Sequence, residues 1–180
     1  MIPYTLVRSN RKTVSIVIQP TGEVEVRCPR RCSKREIEAF VTGKEDWIRR
    51  HLEAIAARPP QPGLSSGELR ELAEQAAAVL PQKVRCFAGK IGVSYGRITI
   101  RSQRTRWGSC SAKGNLNFNC LLMLCPEDVQ DYVVIHELCH RKELNHSAAF
   151  WAEVEKTCPD YRVHRKWLKD NGAALISRLP

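Results

Sequence analysis

Alternation of apolar and polar positions marks the first elements. Thr13-Val14-Ser15-Ile16-Val17-Ile18-Gln19 and Glu23-Val24-Glu25-Val26-Arg27 carry the two-residue period and β-branched content of half-buried strands. Pro20-Thr21-Gly22 between them supplies turn chemistry, so the pair reads as a β-hairpin. Ser33 with Glu36 three residues on forms a capping box. Behind it, Ile37, Phe40, Val41, Trp47, Ile48, Leu52 and Ile55 recur at helical spacing, with Gly43 as the point of interruption. Arg58-Pro59-Pro60-Gln61-Pro62-Gly63-Leu64-Ser65-Ser66-Gly67 can continue neither helix nor strand and reads as a linker.

The second half begins with an Ala-, Leu- and Glu-rich helix expected over Glu68 to Leu80. Ile91-Gly92-Val93-Ser94-Tyr95 and Arg97-Ile98-Thr99-Ile100-Arg101 read as strands, or as one broken strand, and Asn115 to Leu124 as another. A helix then starts with Pro126 at its first position and Glu127 and Asp128 in its first turn, where carboxylates favour the positive end of the helix dipole. Val129, Val133, His136 and His140 share one side of it. Further helices are expected over Ser147 to Thr157, closed by Pro159, and over Val163 to Lys169. Strands followed by helices imply an α+β architecture. The expected organisation is residues 1–62 as a β-hairpin and helix packed on a main domain of residues 63–180.

Composition narrows the class. Of 180 residues, 43% are hydrophobic and 27% charged, a globular balance. The first ten residues carry no long apolar stretch, so they make a poor export signal. No apolar run approaches a membrane span, and the expected location is the cytoplasm. In a reducing compartment the eight cysteines are free thiols. Cys28 and Cys32 could hold a metal, but no second pair completes a four-ligand set. Net charge is +10. From Gln75 to Pro126 there is no Asp or Glu, while Lys83, Arg85, Lys90, Arg97, Arg101, Arg104, Arg106 and Lys113 are positive. This tract, residues 83–113, suits nucleic acid or a nucleotide, or is simply a solvated basic face.

The chemistry concentrates in His136-Glu137-Leu138-Cys139-His140. Two histidines four apart share a helix face and can point at one ion, with Glu137 beside them as general base for a metal-bound water. His146 follows after Arg141-Lys142-Glu143-Leu144-Asn145. Three protein ligands and an open position are the usual set for a catalytic zinc. For His146 to join, the chain must turn back near Asn145, a residue tolerant of left-handed backbone. Glu153 and His164 are the substitutes for His146 as third ligand. The competing account makes the histidines satisfied core side chains and Glu137 a surface acid.

His136-Glu-Leu-Cys-His140-Arg-Lys-Glu-Leu-Asn-His146-Ser-Ala-Ala-Phe-Trp151, preceded by Arg106-Trp107-Gly108-Ser109-Cys110 and followed by Pro159-Asp160-Tyr161 and Trp167-Leu168, resembles the YgjP-like metallopeptidase family, related to the WLM and SprT-like zincins. The resemblance covers nearly the whole chain. It implies a zincin-like fold, with a small sheet packed on the helix bearing HExxH, and a zinc-dependent peptidase. The spacing of the histidines also matches metzincins, but Glu143 stands where those use a glycine to turn.

The expected function is therefore zinc-dependent hydrolysis of a peptide or protein substrate, with metal on His136, His140 and His146 and with Glu137-assisted attack of water. Arg106 to Cys110 or Asn115 to Asn119 would be the edge strand that aligns the substrate. Tyr132, Tyr161, His164 and Arg165 are oxyanion candidates by residue type only, and Phe150 and Trp151 are read as core. The rivals are a metal-dependent nucleotide phosphohydrolase of pyrophosphatase type and a nucleic-acid-binding module with a structural metal.

Overall fold

The computed structural model describes residues 2–19, 21–57 and 62–180. Pro20 of the expected turn and Arg58 to Gln61 of the expected linker lie outside them. Contacts divide the chain into two compact units, Met1–Gln61 and Pro62–Pro180. Among the described residues no helix is long and apolar enough to cross a membrane.

The first unit is a three-stranded sheet with two helices. Strands β1 (Thr5–Ser9), β2 (Ser15–Ile18) and β3 (Val24–Pro29) lie in the order β1-β3-β2. The expected hairpin is β2 against β3, antiparallel, with Ile18 opposite Val24. Gly22 takes φ 87 at the turn, a left-handed value that glycine adopts without a Cβ clash. Strand β3 alternates as its sequence does: Val24, Val26 and Cys28 point into the core with Ile37, Val41 and Ile48. β1, parallel to β3, was not expected; all five of its residues are exposed, so its sequence has no buried face to betray it. The single expected helix is two, α1 (Lys34–Thr42) and α2 (Glu45–Ala56), separated at Gly43-Lys44. Ser33 and Glu36 form the capping box.

The second unit corrects several boundaries. α3 (Ser66–Ile91) begins at its own capping box, Ser65 with Glu68, so Gly67 belongs to the helix and not to the linker. It runs past Leu80 and through Pro81. A proline inside a helix costs about 3 kcal/mol. Leu72, Ala76, Leu80, Val84, Ala88 and Ile91 form one buried stripe across that point, and burying each large aliphatic contributes roughly 1.5–3 kcal/mol. Burial outweighs the proline. The helix ends at Gly92, φ 74, which removes the strand expected over Ile91 to Tyr95; only β4 (Ile98–Arg101) remains.

β4, β5 (Gly108–Cys110) and β6 (Leu116–Asn119) form a second sheet in the order β4-β6-β5. The strand expected to reach Leu124 stops at Asn119, and Cys120–Leu124 is a 3-10 helix. Asn119, 2% exposed, explains the break: its Oδ1 accepts from Leu121 N at 3.1 Å. Its Nδ2 donates to the carbonyls of Gln103 (2.6 Å) and Arg106 (3.1 Å), fixing the loop that leads into β5. α4 (Glu127–Cys139) has Pro126 as its N-cap and not as its first residue, so it starts one position later than expected. It is buried around most of its circumference, through Val129, Tyr132, Val133, Val134, Ile135, Leu138 and Cys139, the mark of a central helix. α3, α6 (Tyr161–Ile176), α5 (Ala148–Thr157) and β5 pack on it. α6 is far longer than the Val163 to Lys169 expected. The implied arrangement, a small sheet against the motif helix in an α+β chain, is present.

Candidate metal centre

His136 sits in the last turn of α4 and His140 caps its end, so the four-residue spacing places both on one face. The chain then turns through residues 141–146. Arg141 N and Lys142 N bond to the carbonyls of Leu138 and Cys139, and Glu143 N also reaches Cys139 O. No non-glycine residue among those described has positive φ. The expected left-handed Asn145 is therefore a correction: the turn is built from ordinary backbone, which is why Glu143 can occupy the glycine position. Asn145 instead accepts from Ser147 N at 3.1 Å, at the start of α5.

This turn brings His146 to the other two. His146 Nε2 lies 3.0 Å from His136 Nε2, and one ligand nitrogen from each of the three histidines falls within 4.8 Å of the others. His140 Nδ1 lies 3.0 Å from Glu143 O. A carbonyl only accepts, so Nδ1 carries the hydrogen and Nε2 keeps its lone pair free. Aromatic rings fix the orientations: His140 stacks on Phe150 at 4.5 Å, and His146 on Trp151 at 5.7 Å. Phe150 is core, as expected. Trp151 is only partly buried and also supports the His146 ring, and is in turn stacked on Tyr161 at 5.2 Å. No residue-type rule marks that role.

Electrostatics suit a cation. Burial, with His140, His146 and Arg165 nearby, holds His136 down to about 3, so its ring is neutral at pH 7. Burial also lowers His140. Glu137, 6% exposed, is pushed up to about 8 by burial, with Arg106 opposing the shift. Three converging imidazoles beside one buried carboxyl fit a divalent ion with nitrogen ligands. The group lines a cavity of about 260 Å³ with Gly108, Ser109, Cys110 and Leu144. Leu144 is 68% exposed there.

The other candidates fall outside the histidine group and the cavity lining. Glu153 is bonded to Lys142 and, at 2.7 Å, to Lys156. His164 has its ring 6.3 Å from that of Tyr132, and neither it nor Glu153 belongs to the histidine group. Tyr132 and Tyr161 are buried, and Arg165 lies over Trp151 at 4.6 Å. None of the four oxyanion candidates lines the cavity. Cys28 and Cys32 are free thiols, and among the described residues the histidines are the one metal-capable group. The basic tract is partly consumed internally. Lys83 pairs with Glu127 (2.8 Å) and Asp131 (2.7 Å), and Arg104 donates to the carbonyls of Leu179 and Pro180.

Comparison with known proteins completes the picture. The chain is similar to the metallopeptidase zymogen abylysin of Pyrococcus abyssi, at 23% identity and TM-score 0.46, over 51% of this chain and 93% of that one. It is also similar to the zymogen jannalysin of Methanocaldococcus jannaschii, at 19% identity and TM-score 0.42, over 49% and 94%. No curated protein gives a significant match. The sequence profile described as YgjP-like, metallopeptidase domain, matches residues 12–73 and 69–171. With that profile spanning most of its length, the chain belongs to the YgjP-like metallopeptidase family and is a metal-dependent peptidase.

Proposed function

We propose that the chain hydrolyses peptide bonds with a zinc ion held by His136, His140 and His146, and with Glu137 as the base that takes a proton from the attacking water. One observation carries this reading: three imidazole nitrogens converge within 4.8 Å beside a buried carboxyl in the same cavity. Zinc suits three imidazoles with an open position, and when bound it supplies charge that acidifies water, polarises a carbonyl and favours ionised Glu137. His140, its Nδ1 hydrogen held by Glu143 O, presents a fixed tautomer. Glu137 accepts the water proton and passes it to the leaving amine. Burial raises its affinity for a proton.

β5 supplies the means to align a substrate. It is the edge strand of its sheet. Asn119 N bonds to Trp107 O, and Ser111 N to Asn115 O. By antiparallel alternation Gly108 and Cys110 therefore turn their backbone groups to the outer edge. An extended peptide can add there as a further strand, across the cavity mouth. The lining residues include no lysine or arginine, the groups that would clamp a triphosphate, which favours a peptide over a nucleotide.

Glu137→Gln protein, assayed by elemental analysis and by cleavage of an unfolded protein, is the test. Metal content stays at the wild-type level while turnover is lost. Wild-type turnover in that variant, or cleavage of nucleoside triphosphates in place of protein, would overturn the reading.

A further inference from the structure

Gly108, the first residue of β5, faces the side chain of Glu137. A Cβ built on it would lie 2.7 Å from both Cγ and Oε1 of Glu137, and 2.9 Å from Cδ. Ordinary carbon contacts need about 3.5–4.0 Å. Backbone conformation does not call for glycine here. Among the described residues positive φ occurs at Gly22, Gly92 and Gly114, whereas Gly108 is paired in strand register with Phe118. Glycine inside a strand gives up packing and conformational entropy, so its benefit must lie in the space it leaves.

That space is occupied by the one acid in the cavity. Glu137 cannot retreat into α4, because Val133, Val134, Leu138 and Cys139 around it are buried in the core. β5 cannot retreat freely either, since Ser109 and Cys110 pair with Asn117 and Leu116 of β6. A methyl group on residue 108 would be accommodated by the softest element present, the rotamer of Glu137, and the carboxyl would swing away from the histidines.

We propose that Gly108 is a positioning residue: its missing side chain lets β5 close on α4 and fixes the Glu137 carboxyl beside the three imidazoles. This rests on the reading of Glu137 as the base. Displacement of a reacting group by about 1 Å costs on the order of 10²-fold in rate. The effect falls on kcat, because neither the metal ligands nor the outer edge of β5 is altered.

The test uses the whole chain and an internally quenched peptide that the wild-type protein cleaves. Gly108→Ala lowers kcat about 10²-fold, with KM, metal content and unfolding temperature unchanged. Glu137→Asp carries a carboxylate one carbon shorter, which leaves room for the methyl. Adding Gly108→Ala to Glu137→Asp therefore costs about threefold or less, a non-additivity expected only of coupled sites. Gly89→Ala, where a Cβ meets nothing within 4 Å, serves as the control glycine and keeps wild-type kcat.

Wild-type kcat in Gly108→Ala, fully multiplicative losses in the double variant, or loss of metal or fold in Gly108→Ala would each overturn the positioning role. The underlying reading fails separately. If Glu137→Gln keeps wild-type turnover, Glu137 is not the base; if Glu137→Gln is inactive and Gly108→Ala is not impaired, only the positioning role is lost.

Discussion

Two glutamates adjoin the histidine loop, and their surroundings share almost nothing. Glu137 lies where α4 meets β5, almost wholly buried, with a glycine against it and burial raising its carboxyl to about 8. Glu153, on α5, is bonded to Lys142 of the loop and to Lys156. Those hydrogen bonds, Lys142 first, hold its carboxyl below the usual 4.5. The same side chain is thus poised to exchange a proton in one region and locked in its charged form in the other. Burial without a bonded cation raises one carboxyl's hold on its proton; two ammonium groups make the other a clip between loop and helix.

The contrast can be broken experimentally, and the largest effect comes from the metal. Stripping the ion with a chelator should abolish peptide cleavage and lower the unfolding temperature, since an ion that binds only the folded chain stabilises it; zinc should restore both. Undiminished cleavage by demonstrably metal-free protein would end the comparison at its root. Next comes Glu137→Gln, for which loss of a positioned general base predicts a fall in kcat of about 10²–10⁴-fold without loss of metal.

Glu153→Gln should be far milder. Exposed ion pairs contribute roughly 0–1 kcal/mol, so stability should fall by about that much. Turnover should fall only a few-fold, through a looser loop between His140 and His146. A loss as deep as that of Glu137→Gln would mean that Glu153 is more than a clip. The smallest effect is its titration. A carboxyl with a lowered folded pKa contributes stability above its unfolded value, near 4.5, and loses it as pH falls through the folded value. The wild-type advantage over Glu153→Gln in unfolding temperature should therefore be full at pH 6 and vanish well below pH 4.5. An advantage independent of pH would point to packing instead.

What could be read from the chain tracks how local each signal is. His136 and His140 belong together because a helix puts residues four apart on one face, whatever surrounds it. Capping at Ser33 was equally local and was found. β1 was missed because none of its residues is buried. The end of α3 was missed because Pro81 and Gly92 bracket a segment whose helix is held by distant partners in α4 and the 3-10 helix. Ile91 to Tyr95 has strand-like residues, but the first closes the buried stripe of α3. By its sequence Trp151 reads only as core, and its stacking on His146 depends on where α5 lands.

By itself the sequence determined the histidine pair, its spacing on one helix face, the acid beside it and the family, because these are set by neighbours within a turn or two. Tertiary packing alone decided that His146 returns to its partners, that Glu137 loses water, and that a glycine from a strand far along the chain stands against it. Each of those depends on which surfaces meet, and burial is a property of the meeting rather than of either segment.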